Sequence, residues 1–299
     1  MSILRTLPRI TEEALAEYRA PELSGNNVPD GNLLAHADNL FFMEKLLSDG
    51  AAGSLDFIYV DPPFYTNENW KTAKGAAAYG DIWGSLEEFL SMLTKRLIRM
   101  RDLLSESGSI AVHLDWHAVH YVKVIMDEIF GEENFVNELI WTYKSGGAGK
   151  RSFARKHDTI LLYSKSKKYY FEPQKEVSYN REGRPYRFKG VQEYRDEHGW
   201  YTLVNHKDVL SIDMVGRTSK ERCGYPTQKP VKLLELLIKS CCPEGGICAD
   251  FFCGSGSLAV AACNTGRRFI VCDFGEPAIE LCRERLDKIG AEYSFSKWG

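Results

Sequence analysis

The first 222 residues of this 299-residue chain contain no cysteine, and the eight cysteines that follow never form a C-x-x-C pair. No histidine follows them at zinc-finger spacing, so no metal site is expected. Cys241 and Cys242 are adjacent, which suits neither a shared disulfide nor two ligands of one tetrahedral site. Free thiols in a reducing compartment remain as the simplest reading. Long apolar runs are absent too. The N-terminal stretch MSILRTLPRITEEALAEYRA has no apolar h-region and no small-residue cleavage site. No signal peptide and no membrane span are therefore expected, and the location reads as cytoplasmic. Repeats, low-complexity tracts and long heptads are missing, which leaves assembly open between monomer and homodimer.

The chain is long enough for one large catalytic domain with an inserted region, and it can bury a core without staples. Its formal net charge of −3 offers a polyanion little when taken whole. The distribution reads differently. From Lys144 to Gly190 there are thirteen Lys/Arg against four Asp/Glu, a surplus of +9 on a body that carries −12. One basic segment on an acidic body points to a localised polyanion footprint, with a solvated charged face as the plain alternative.

Residues 1–30 read as a poorly specified arm. Asn39–Leu47 has helical spacing with Asp38 as its N-cap. Leu55–Val60 (LDFIYV) is a short apolar run that ends abruptly at Asp61-Pro62-Pro63, as a buried parallel strand would. Tyr65–Trp83 is unpatterned and reads as a mobile loop. A helix over Leu86–Leu104, a strand over Ser109–Leu114, a helix over His117–Phe130 and a strand over Thr159–Tyr163 follow. The pattern weakens from Ser164 to Cys223 and resumes with a helix at Val231–Ser240. Ile247–Phe252 reads as a strand, Ser257–Asn264 as a helix, Phe269–Cys272 as a strand, and Pro277–Ile289 as a closing helix. Such alternation predicts an α/β fold with a doubly wound, mostly parallel sheet. The domains expected are an arm at 1–30, a catalytic half at 31–163, a recognition insert at 164–224, and a cofactor-binding half at 225–299.

Asp250-Phe251-Phe252-Cys253-Gly254-Ser255-Gly256-Ser257 joins a predicted strand to a predicted helix. Glycines at such a turn admit positive φ and close approach of a ligand. Asp273, at the end of the next strand, is placed to accept from ribose hydroxyls. Alone, Gly254-x-Gly256-x-x-Ala259 also fits a nicotinamide or flavin fingerprint, but that fingerprint normally opens its fold and this one lies near the end.

Asp61-Pro62-Pro63-Phe64 is more specific. Prolines lack N–H groups and cannot continue a ladder, so they stiffen the turn and leave carbonyl oxygens free to accept. Asp61 adds a stronger acceptor and Phe64 a flat apolar face. The set suits an exocyclic amino group on an aromatic base: carboxylate and carbonyl accept its hydrogens, the ring stacks on Phe64, and the nitrogen lone pair is aimed at a methyl donor. A base within a duplex must be flipped out to reach such a site.

These residues resemble the DNA amino-methyltransferase family in the order where the catalytic motif precedes the cofactor motif. The family pattern is Asp-Pro-Pro-Tyr/Phe, then Thr-Gln-Lys-Pro, then Asp-Pro-Phe-x-Gly-Ser-Gly-Thr. Here Asp61-Pro62-Pro63-Phe64, Thr227-Gln228-Lys229-Pro230 and the Asp250–Ser257 segment follow in that order, and the likeness covers roughly residues 31–290. The resemblance implies the circularly permuted motif order of an S-adenosylmethionine-dependent methyltransferase fold, with both motifs at a topological switch point. It assigns cofactor contacts to Asp250, Phe251, Phe252, Cys253, Gly254, Ser255, Gly256 and Ser257. Asp273 falls to the ribose, and Thr227, Gln228, Lys229 and Pro230 to a helix start whose free N–H groups suit the methionine carboxylate. Asp38 and Asn39 match an upstream Gly-Asp-Asn-Leu element near the adenosyl group, with Ala37 in place of its glycine. Phe251 and Ser257 stand where the pattern has proline and threonine, mild changes that bear on affinity.

Ser145–His157 matches a family stretch just before the recognition region. With Lys144 at its edge, its Lys150, Arg151, Arg155 and Lys156 are expected to neutralise phosphates of double-stranded DNA. It is not a Walker loop, since Arg151 follows Gly149-Lys150. Asp at the head of the catalytic motif favours N6 of adenine by family habit, within a restriction-modification setting that can include a partner nuclease. N4 of cytosine is the alternative, and a DNA-binding protein with a vestigial site is the second. Cytosine C5 chemistry needs a cysteine after proline, and no Pro-Cys dipeptide exists here.

Overall fold

The computed structural model describes residues 3, 6–21, 27–66, 68–72, 75, 77–144 and 150–298. The chain runs α1 (Leu7–Ala16), β1 (Leu33–His36), α2 (Asn39–Ser48), β2 (Leu55–Val60), β3 (Asn69–Lys71), β4 (Ala77–Gly80) and α3 (Leu86–Leu103). It continues with β5 (Leu104–Leu114), α4 (Val119–Phe130), β6 (Phe135–Thr142), β7 (His157–Ser164), β8 (Lys175–Tyr179), β9 (Glu193–Asp196), β10 (Gly199–Asn205) and β11 (Val209–Ser211). It closes with α5 (Val231–Cys241), β12 (Ile247–Asp250), α6 (Ser257–Asn264), β13 (Arg268–Asp273), α7 (Glu276–Lys288) and β14 (Ser294–Lys297).

Nine strands form the main sheet in the order β11-β6-β7-β5-β2-β12-β13-β1-β14. Every pairing is parallel except those of β7, which lies antiparallel to β5 and β6. The α/β class and mostly parallel sheet match the sequence expectation. Alternation along the central strands splits the core in two. Ile58, Val60, Ala249, Ile270 and Cys272 face the layer built with α1 to α4. Phe57, Tyr59, Cys248, Phe269 and Val271 face the layer built with α5 to α7. A strand buried on both faces must be apolar throughout, which is why LDFIYV was legible. Its one polar residue, Asp56, accepts the Ile247 N–H at 2.9 Å and ties β2 to the start of β12.

Several expectations need correction. The arm at 1–30 is not featureless: LPRITEEALA is a helix, with Pro8 in its first turn where a missing N–H costs nothing. Leu7, Ile10 and Ala14 recur at helical spacing and are buried against the core. Tyr65–Trp83 is not all loop, since β3 and β4 pair within it with Asn69 opposite Gly80 and Trp70 opposite Tyr79. The short or amphipathic strands β1, β6 and β14 carry too little apolar signal to be read alone. Within 164–224, β8, β10 and β9 form a separate antiparallel sheet, whereas β11 pairs with β6 at the edge of the main sheet. Among the described residues no helix is long and apolar enough to cross a membrane, no group of residues could hold a metal ion, and all eight cysteines are free.

The α1 correction is testable. Ile10 is 2% exposed, and Ile10→Ala should cost about 2–5 kcal/mol of unfolding free energy in urea denaturation. A loss below ~0.5 kcal/mol, the range of ordinary surface changes, would return α1 to the status of a loose arm.

Candidate active site

Strands β2 and β12 lie side by side, with Phe57 opposite Cys248 and Ile58 opposite Ala249. Their C-terminal ends therefore deliver Asp61 and Asp250 to one place, where the chain order of the sheet reverses. A cavity of about 210 Å³ opens there. Its wall includes Asp38, Asn39, Asp61, Pro62, Pro63, Phe64, Thr227, Gln228 and Lys229, with Asp250 through Ser255, Ser257 and Asp273. Of the residues expected at the site, the structure brings all of these together. Pro230 and Gly256 are not part of the wall.

The Gly-rich turn is fixed by backbone geometry. Gly254 has φ +50° and Gly256 has φ +75°, both in the left-handed region. The Gly254 N–H donates to Asp273 Oδ2 at 2.8 Å, and the Gly275 N–H donates to Oδ1 at 2.9 Å. A carboxylate has about four accepting sites, so Asp273 keeps capacity for a ligand hydroxyl. A Cβ on Gly256 would lie 2.3 Å from Cys282 Sγ, so only glycine fits. Ser257, in the place of the pattern's threonine, keeps the hydroxyl function: Oγ donates to the Lys229 carbonyl at 2.9 Å and accepts from Arg285 at 3.0 Å. This hydroxyl joins the Gly-rich turn to the Thr227–Pro230 segment.

The helix start at α5 departs from expectation. The Val231 N–H is already taken by Glu221 Oε1 at 2.9 Å, so that donor is not free for a ligand carboxylate. The Gln228 amide is engaged as well, accepting from the Cys223 N–H at 2.9 Å and donating to the Glu221 carbonyl at 2.8 Å. At the opposite wall, Asp38 caps α2 by accepting from Leu40 and Phe41 N–H at 3.0 and 3.1 Å. Asn39 donates to the Phe251 carbonyl at 2.7 Å and accepts from Arg96 Nε at 2.5 Å. Arg96, from the middle of α3, also reaches Asp38 at 3.2 Å. It was invisible in the sequence, where it is one cation of an ordinary amphipathic helix.

The Asp61–Phe64 turn holds a contact that the sequence did not announce. Lys229 Nζ, expected among the cofactor contacts, is 2.5 Å from Asp61 Oδ2, and its side chain is only 9% exposed. The same ammonium lies 5.1 Å from the centre of the Phe64 ring. Phe64 also stacks on His113, with centroids 5.9 Å apart and planes 30° apart. His113 is fully buried, 2.7 Å from the Tyr59 hydroxyl through Nδ1 and 3.3 Å from Asp158 through Nε2. Because a carboxylate only accepts, Nε2 carries the hydrogen of the Asp158 contact. Asp81, just past β4, accepts the N–H groups of Phe64, Tyr65 and Thr66. Neither His113 nor Asp81 gave a sequence signal, one being a polar residue inside a buried strand and the other part of an unpatterned stretch.

Carboxylates outnumber cations in the cavity wall, with Asp38, Asp61, Asp250 and Asp273 against Arg96 and Lys229. Burial pushes Asp250 well above the usual carboxylate range, and the nearby Asp61 and Asp273 charges push it further, against the pull of a backbone N–H and Lys229. Burial also raises Asp273, opposed by backbone N–H groups of Gly275, Gly254 and Phe274. Asp61 Oδ1 is buried with no hydrogen-bond partner among the described residues. A buried acceptor left open costs free energy unless a ligand donor fills it. An acidic cavity with unfilled acceptors fits a cationic ligand rich in hydroxyl and amino groups, as S-adenosylmethionine is.

The basic segment is partly described. Lys144, Lys150, Arg151 and Arg155 are exposed and Lys156 is half-buried, while residues 145–149 lie outside the described residues. The Arg155 guanidinium sits 4.0 Å over the Trp116 ring, and Phe153 between these cations is 99% exposed. The Tyr143 hydroxyl donates to Asp158 Oδ1 at 3.0 Å, which roots the segment next to the His113 network.

Comparison with known proteins gives the family and the fold. A family model for N6 and N4 DNA methylases matches residues 55–284. The type II methyltransferase M.EcaI of Enterobacter cloacae is 27% identical over 303 residues, spanning 81% of this chain and 66% of its own length. The DNA adenine methyltransferase YhdJ of Escherichia coli K12 is 24% identical over 271 residues, spanning 89% and 85% of the two chains. Among solved structures, M1.HpyAVI in complex with S-adenosylmethionine superposes with a TM-score of 0.57 at 18% identity, covering 85% of this chain and 98% of that one.

One substitution checks the Gly-rich turn. Gly256→Ala forces a side chain into left-handed backbone, at roughly 1–3 kcal/mol, and into the Cys282 sulfur. The variant should melt lower and lose most of the melting shift that S-adenosylmethionine gives the wild type. An unchanged shift would separate this turn from ligand binding.

Proposed function

The chain belongs to the family of N6 and N4 DNA methylases, and we propose that it methylates the N6 amino group of adenine at specific sites in double-stranded DNA. The cofactor of this family is S-adenosylmethionine, which supplies an electrophilic methyl group on its sulfonium. The observation that carries the reading is the convergence of the Asp61–Phe64 turn and the Asp250–Ser257 turn on one acidic cavity, with Asp61 Oδ1 buried and unpartnered. Asp61 and the Pro62 carbonyl accept the two amino hydrogens, which draws the nitrogen toward tetrahedral geometry and aims its lone pair. Phe64 offers its ring to the base. As the amine gains a methyl group it sheds one proton, and Asp61 Oδ1 is the acceptor beside it. Asp250, Gly254 and Asp273 hold the donor on the other side of the cavity. Supporting adenine over cytosine is the Asp at the head of the turn, where N4-cytosine members more often carry Ser.

A base in a duplex cannot enter this cavity, so the target is flipped out of the stack. Lys144, Lys150, Arg151, Arg155 and Lys156 make the phosphate footprint, with Phe153 and Trp116 as aromatic neighbours. We assign base reading to residues within 164–224, where the β8-β10-β9 sheet stands apart from the main sheet.

Methyl transfer from labelled S-adenosylmethionine to mixed-sequence unmethylated DNA, followed by nucleoside mass spectrometry, should yield N6-methyladenine. N4-methylcytosine would move the target to the other base, and no methylated base across a broad set of sequences would overturn the enzyme reading. Asp61→Ala should abolish the product while sparing the melting shift given by S-adenosylmethionine. Lys150→Ala and Arg155→Ala should each lower the log–log salt slope of DNA binding by about 1. Unchanged slopes would remove those side chains from the footprint.

A further inference from the structure

The backbone that follows the catalytic turn is organised around one buried carboxylate. Asp81 is 1% exposed. Its Oδ2 accepts from the Phe64 N–H at 3.1 Å, the Thr66 N–H at 2.7 Å and the Thr66 hydroxyl at 2.7 Å. Its Oδ1 accepts from the Tyr65 N–H at 3.0 Å and the Trp83 indole N–H at 2.8 Å. Five donors therefore use the whole accepting capacity of the group, about four lone-pair sites. Three successive N–H groups turned onto one anion form a nest, and the turn needs Tyr65 at φ +63°, a backbone that side chains rarely adopt. Asp81 also closes the hairpin, since its own N–H donates to the Glu68 carbonyl at 2.9 Å. The β3–β4 excursion thus leaves and returns through a single carboxylate, and that carboxylate grips the residue whose ring faces the target.

We propose that Asp81 is a positioning residue of the methyl transfer, setting the Phe64 ring at the angle the base needs. The proposal rests on the reading above, in which the base stacks on Phe64. The grip on the Phe64 backbone adds to what already holds its ring, the stack on His113, the Lys229 ammonium and packing at the edge of the core. The Asp81 grip ties the Phe64 backbone to the hairpin as well as to the turn that follows β2. Asp81 touches neither base nor methyl donor in this scheme and acts through Phe64.

The test compares Asp81→Asn, Thr66→Val and Trp83→Phe with wild type. Asn offers one accepting oxygen and turns an NH2 toward two donors, whereas the other variants remove one donor each. A misplacement of about 1 Å at the ring costs on the order of 100-fold in rate. Asp81→Asn should therefore lose roughly that factor in kcat on unmethylated DNA, with KM for DNA and the affinity for S-adenosylmethionine close to wild type. Thr66→Val and Trp83→Phe should fall between the two, and they carry the test if Asp81→Asn does not fold. Wild-type kcat in a folded Asp81→Asn, or in both milder variants, overturns the proposal. A parallel loss of cofactor affinity in all variants also overturns it, because Asp81 would then be scaffold for the whole cavity. Failure of the underlying reading is separate: it would show as wild-type protein that methylates no DNA.

Discussion

The parallel pairing of β2 with β12 is the constraint from which the site follows. Both strands are buried on both faces, so their register is set by packing against two helical layers, and a slip of one residue would turn every side chain to the wrong layer. With register fixed, the two strands end together, and each must hand over to a turn that cannot continue the ladder. One handover is made of prolines, which lack donors. The other is made of glycines at positive φ. Two turns of opposite chemistry, one presenting acceptors and the other a bare backbone, then face each other across a cavity.

Concentrating acceptors has an electrostatic consequence. Asp61, Asp250 and Asp273 crowd one cavity, and burial raises both Asp250 and Asp273. Lys229 is the cation in direct contact with this group. A buried ion pair adds little net stability when whole, but removing one partner typically costs about 3–5 kcal/mol because the other charge stays buried. Lys229 therefore answers to the Asp61 carboxylate as much as to any cofactor. Its motif neighbours serve the frame: Gln228 is bound to Cys223 and Glu221, and the Val231 N–H to Glu221.

How much was legible depended on the range of the force involved. Strands β2, β12 and β13 were read almost to the residue, because burial on both faces demands an unbroken apolar run. Helix α2 was read with its Asp38 cap, because a cap acts within three residues. Helix α1 was lost, since ten residues with a single buried stripe look like an arm until the core they cover is known. Strands β1 and β14 were lost because four residues show too little pattern, and β6 because Asn137 and Glu138 interrupt its apolar residues. The β3–β4 hairpin was lost because the Asp81 carboxylate that closes it leaves no apolar pattern to read.

The sequence by itself determined the chemistry on offer: an Asp-Pro-Pro-Phe turn, a Gly-rich turn with an acidic residue one strand later, and a cationic segment, in a set order. Local stereochemistry encodes these, since proline, glycine and charge act on their own backbone and near neighbours. Only the tertiary structure decided who partners whom. Lys229 meets Asp61 across 168 residues, Arg96 meets Asn39 across 57, and Asp81 takes the Phe64 N–H across 17. Such contacts depend on sheet order and helix placement, which arise from burying the whole core at once, and no local pattern carries them.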